Sequence, residues 1–114
     1  MKTLLILLMA ATAYGSTAWE NSLADAIYKT EGGAKTAYAY GVKARYTHTT
    51  PRQACLNTIQ HQVRRWNAQE HPKPFIAFIA DSYCPKSADP IGHDNWIRNT
   101  SYFMKQSNQP LNPL

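Results

Sequence analysis

Apolar positions along this chain follow two different periods, and one stretch near the start follows none. Leu23 and Ile27, flanked by the small Ala24 and Ala26, share one stripe and predict a first helix from Ser22 to about Glu31. Asn21 or Ser22 can cap its start, and Gly32-Gly33 stops it. Cys55, Ile59, Val63 and Trp66 recur on one helical face and carry a second helix to about Ala68, with Arg64 and Arg65 mainly off that face. Its beginning is marked by a capping threonine at Thr50, Pro51 in the first helical position, and Gln53, which can complete a capping box. A third, shorter helix is predicted from Pro74, burying Phe75, Phe78 and Ile79 and ending at Cys84-Pro85, because the residue before a proline avoids helical backbone. A fourth starts near Asp94, with Trp96, Ile97, Thr100, Phe103 and Met104 facing inward. Between the first two helices the period changes to two. Tyr38, Tyr40, Val42, Ala44 and Tyr46 alternate with Ala39, Gly41, Lys43 and Arg45, as in an extended strand or hairpin. The predicted class is therefore α+β and mostly α, with a short β-hairpin after the first helix and about three further helices. The domain covers residues 19–106, and residues 107–114, rich in Asn and Pro, are expected to form a flexible tail.

The stretch without a period is Thr3 to Ala13, which follows Met1-Lys2 and precedes the small residues Gly15, Ser16 and Ala18. That is the pattern of a secretory signal peptide over residues 1–18, cleaved after Ala13 or after Ala18. The run is shorter than the roughly 20 residues that span a bilayer, and no second run follows, so stable membrane insertion is not expected. The expected location is secreted or periplasmic. In an exported chain Cys55 and Cys84 are expected to form a disulfide bond. Closing that loop would constrain the unfolded chain by roughly 3.5 kcal/mol.

A length of 114 residues with 44% hydrophobic and 17% charged residues excludes both a disordered chain and a multidomain enzyme. Twelve Lys and Arg against seven Asp and Glu give a net charge of +5, one of which leaves with Lys2 if the leader is removed. The excess suits an anionic partner. Export argues against nucleic acid and leaves a membrane surface or an acidic polymer such as peptidoglycan; a basic surface that is merely solvated is equally open on charge alone. There is no C-x-x-C or H-E-x-x-H, and His48, His61, His71 and His93 lie far apart, so neither a metal site nor a cofactor is expected.

Of the seven carboxylates, Glu20, Asp25, Glu31, Glu70, Asp81, Asp89 and Asp94, Glu31 stands apart. It falls in the last turn of a helix, where the dipole opposes a negative charge, and two glycines follow it. Walled from water by Tyr38, Tyr40 and Tyr46, it would be an acid able to protonate a leaving oxygen; otherwise it is a solvated helix-end glutamate. The same tyrosines fit a sugar cleft or the packed face of a strand. Lys43, Arg45 and Arg52 could meet carboxylates of a substrate or only water. Trp66, Trp96, Phe75, Phe78 and Phe103 read as core, and Asp89 and Asp94 as a turn and a helix cap.

Ala26-Ile27-Tyr28-Lys29-Thr30-Glu31-Gly32-Gly33, then Tyr40-Gly41-Val42, then a helix-rich remainder, resembles the lysozyme-like superfamily and within it the soluble lytic transglycosylases. The likeness covers residues 23–46 in detail. It implies a lysozyme-like domain in which Glu31 is the catalytic acid and Gly41 is the glycine of the family's Gly-Leu-Met-Gln segment. Here Val42-Lys43-Ala44 follows that glycine, so the glutamine is missing, and Ser82-Tyr83-Cys84-Pro85 is the nearest counterpart of the family's Ala-Tyr-Asn-Ala-Gly. The implied substrate-binding residues are Tyr38, Tyr40, Gly41, Tyr46 and Tyr83. Residues 32–69 contain no Asp or Glu, so the second acid of a two-carboxylate hydrolase has no place there. The expected function is an exported peptidoglycan-cleaving enzyme acting on cell-wall glycan strands, alone or within a larger cell-envelope assembly. The alternative is a non-catalytic cell-wall-binding or interaction protein on the same scaffold.

Overall fold

A computed structural model describes residues 16–113. The signal peptide expected over residues 1–18 lies almost wholly outside them. The described chain holds four α-helices: α1 (Ala18–Thr30), α2 (Pro51–Ala68), α3 (Phe75–Tyr83) and α4 (Pro90–Gln106). Two short 3-10 turns, Gly33–Lys35 and Ala39–Gly41, lie between α1 and α2.

Helix α1 begins four residues before the sequence pattern places it, because Thr17 and Glu20 form a complete capping box. The Thr17 hydroxyl accepts from the Glu20 amide at 3.1 Å, and the Glu20 carboxylate accepts from the Thr17 amide at 2.7 Å. The extra turn adds Trp19 to the buried stripe of Leu23, Ala26 and Ile27. Glu31 is the C-cap, and Gly32 follows in the left-handed region at φ +110°, where glycine pays no steric penalty.

Helix α2 has the expected bounds. Thr50 caps it by accepting from the Gln53 amide, while the Gln53 side chain turns forward to Asn57 and leaves the capping box half formed. Its inner face carries Cys55, Leu56, Ile59 and Trp66, with Val63 half-buried. Helix α3 is short and almost wholly apolar, and stops at Cys84 before Pro85. Helix α4 starts four residues before Asp94, since Asp89 accepts from the Gly92 amide at 2.9 Å and Pro90 takes the first helical position.

Helix α1 packs against both α2 and α4, and α3 packs against the same two helices. A single core of Leu23, Ile27, Ile59, Phe75, Ile79 and Met104 fills the centre. The segment after α4 lies along this bundle: Trp19 donates to the Pro110 carbonyl at 2.8 Å, and the Asn112 side chain accepts from the Phe75 amide at 3.0 Å. No helix among the described residues is long and apolar enough to cross a membrane.

Two expectations are corrected. The described residues contain no strand, so the class is all-α and the predicted hairpin over residues 38–46 does not exist. The alternation is broken at its centre by Tyr40 at φ +60° and Gly41 at φ +70°, two successive left-handed residues that no strand accommodates, and nothing supplies a second strand to pair with. Of the three tyrosines only Tyr40 packs against the helices, on Tyr28 at 5.0 Å, while Tyr38 and Tyr46 are about half exposed. The expected disulfide is also absent, for Cys55 and Cys84 are free thiols. Cys55 points into the core, where its sulfur accepts from the Tyr83 hydroxyl at 3.4 Å, whereas Cys84 terminates α3 at the edge of the core.

Candidate active site

The C-terminal end of α1 opens onto a groove of about 380 Å³ between the 3-10 turn at Ala39–Gly41, the first half of α2 and the end of α3. Glu31, Tyr38, Tyr40, Gly41, Tyr46 and Tyr83, the six residues singled out in the sequence for catalysis and substrate contact, all line it. Glu31 is the only carboxylate among the lining residues and Lys43 the only cation. Two further hollows adjoin this groove. One of about 500 Å³ shares Tyr38, Val42, Lys43 and Tyr46 with it and includes Arg45; another of about 390 Å³ is reached past Tyr46, Ala54 and Thr58. Tyr46 borders all three, so the depression is long enough to take an extended molecule.

Glu31 is held by its surroundings. Its Oε1 accepts from the indole N–H of Trp96 at 2.8 Å, and Oε2 has no hydrogen-bond partner among the described residues. Gly41 stands directly against the carboxyl group: a Cβ placed there would lie 3.0 Å from Glu31 Cδ and 3.1 Å from Oε2. The backbone of the 3-10 turn thus lies close beside the carboxylate, and any side chain at this position would crowd it as well as strain the turn at φ +70°.

That turn is anchored through Tyr40. Arg52, near the start of α2, donates to the Tyr40 hydroxyl at 3.0 Å, to Asp25 at 2.8 Å and to the Asn21 side chain at 3.0 Å. The Tyr40 bond, together with Asp25, raises the Arg52 pKa further above its ordinary value, against a smaller opposing effect of burial. One guanidinium therefore ties the groove wall to α1 and is not free to meet a substrate carboxylate. Tyr38 and Tyr46 are about half exposed and present their rings to the groove.

Beneath the groove, Tyr83 stacks on Trp96 with centroids 5.2 Å apart and rings 16° from parallel. Burial, the neighbouring Cys55 and the charge of Glu31 all push the Tyr83 hydroxyl up, so it stays neutral and donates to Cys55. Burial likewise pushes the Cys55 thiol up to about 11, with the Tyr83 hydrogen bond and Arg52 opposing and Glu31 reinforcing. Both groups stay uncharged; Tyr83 lines the groove and Cys55 lies fully buried behind it.

Sequence reasoning placed Trp96 only in the core and missed its bond to Glu31. The signal available was chemical: a buried indole N–H requires an acceptor, and few carboxylates exist to provide one. The role of Arg52 was equally hidden, since its partners lie on two other segments. Among the described residues no three of His, Cys, Asp and Glu converge as metal ligands would. Comparison with models of protein families, with curated proteins and with solved structures found no match to this chain.

Proposed function

We propose that this protein is an exported enzyme of lytic transglycosylase type, which cleaves the glycosidic bond between N-acetylmuramic acid and N-acetylglucosamine in peptidoglycan. The observation that carries this reading is the seat of Glu31: one carboxylate, backed by Gly41 and fixed by Trp96, in a groove walled by tyrosines. Neutral tyrosine rings and hydroxyls suit sugars, which present apolar faces and many hydroxyl groups. The adjoining hollows, which meet at Tyr46 and Thr49, give a strand room to extend beyond the bond to be cut.

In the proposed reaction Glu31 protonates the glycosidic oxygen and the C1–O bond breaks, leaving oxocarbenium character on the muramic ring. The carboxylate so formed takes the proton of the muramic 6-hydroxyl, whose oxygen closes on C1 as a 1,6-anhydro ring. The proton balance returns to its start without water. Holding both reacting groups on one ring makes the second step intramolecular, which favours it over attack by solvent. Lys43 and Arg45, exposed at the rim, offer positive charge to peptide carboxylates of the wall.

The test is digestion of purified peptidoglycan by the wild-type protein and by Glu31→Gln, with products identified by mass spectrometry. Anhydromuropeptides from the wild type alone are expected. Glycan binding without products from either protein would replace this reading with that of a wall-binding protein.

A further inference from the structure

All three tryptophans are buried, and each indole N–H has one acceptor. Trp19 donates to the Pro110 carbonyl and Trp66 to the Lys73 carbonyl, both backbone groups that never change charge. Trp96 alone donates to an ionisable group, Glu31, whose seat in the groove is described above. The indole cannot swing away, because it is stacked on Tyr83, which Cys55 holds in turn. Trp96 does not itself line the groove.

We propose that Trp96 is a positioning residue, whose N–H binds Glu31 Oε1 and thereby reserves Oε2 as the atom that carries the proton to and from substrate. The proposal rests on the glycan-cleaving reading of the groove. An oxygen that accepts an N–H bond is the poorer place for a proton, because the indole can only donate. The proton of the acid form therefore sits on Oε2, passes to the leaving glycosidic oxygen, and returns to Oε2 from the 6-hydroxyl. The carboxyl group need not turn between the two half-reactions, which is the geometric economy a single acid–base residue requires. Gly41 completes the arrangement by leaving free the space that the carboxyl group occupies.

The experiment has two arms, both on the full-length mature protein. In the first, the three indole N–H signals are followed by ¹⁵N–¹H NMR through acidic pH in the wild type and in Glu31→Gln, with Trp96 assigned through its contacts to Tyr83. The Trp96 signal is expected to move with pH in the wild type and to lose that movement in Glu31→Gln, while Trp19 stays still and any movement of Trp66, whose ring stacks on His71 at 3.7 Å, is the same in both proteins. A Trp96 signal that does not respond overturns the proposal whatever the protein does to peptidoglycan. In the second arm, Trp96→Phe keeps an aromatic ring and removes the N–H. Its kcat on soluble glycan strands is expected to fall about tenfold or more with KM within about twofold, and its pH profile to shift. Wild-type kcat and pH profile in a folded Trp96→Phe would overturn the proposal; should that variant not fold, the titration decides alone. Failure of the wild type to cleave glycan would remove the functional reading, and the titration would still report whether Trp96 holds Glu31.

Discussion

Gly41 answers two demands at once, a left-handed backbone at φ +70° and a carboxyl group where a side chain would begin. Gly41→Ala is expected to cost about 1–2 kcal/mol through the backbone alone. It should also displace the Glu31 carboxyl, so that glycan cleavage falls far more than thermal stability does. A variant as active as the wild type, in a lysis assay matched by a melting curve, would show that the close approach does not matter. Cys55 makes a prediction of a different kind. Its folded pKa of about 11 lies above the unfolded value of 9.0, so the native state keeps the proton that the unfolded chain gives up between those pH values. Stability from this group is complete below pH 9 and lost as pH rises through 11, on the order of 2–3 kcal/mol. Tyr83, shifted in the same direction, adds to the loss. Denaturation midpoints measured on either side of this window should fall more steeply in the wild type than in Cys55→Ala. Parallel profiles would contradict the burial of the thiol.

Among the elements, α1 matters most because its C-cap, Glu31, is the proposed acid and its first turn is fixed by the Thr17–Glu20 box. Thr17→Ala is expected to lower stability by about 1 kcal/mol, read from a shifted denaturation midpoint. The same box separates the two cleavage points expected for the leader. Cutting after Ala13 leaves the cap whole, whereas cutting after Ala18 removes Thr17 and makes the buried Trp19 the first residue. If the proposed leader is cleaved, the mass of the mature protein should therefore match a start at Tyr14; a start at Trp19 would show that the cap is dispensable. The helices were legible in sequence because their signals are local: Thr50-Pro51, Cys84-Pro85 and the apolar stripes act within a few residues. The earlier starts of α1 and α4 were legible too, in Thr17-x-x-Glu20 and Asp89-Pro90, but the stripes, with Asn21 or Ser22 read as the cap of α1, drew those boundaries inside the true caps. The hairpin was not legible because alternation describes which side chains face inward and not whether a partner strand exists. Successive left-handed residues instead turn Tyr40 inward and leave Tyr38 and Tyr46 about half exposed.

On the scale of the whole molecule, three helices and one irregular segment converge on the end of α1. The groove could be guessed from Glu31 and its tyrosines, yet what fixes it, Arg52 and Trp96, comes from α2 and α4 and depends on tertiary contacts that no spacing encodes. The groove contains one carboxylate, and this decides the chemistry expected of it: cleavage without a second acid to activate water. The direct measurement is digestion of peptidoglycan in ¹⁸O-labelled water, followed by mass spectrometry of the new glycan ends. Unlabelled 1,6-anhydromuramyl ends are the result predicted. Reducing ends carrying the label would contradict the account, as would intact glycan after incubation with folded protein.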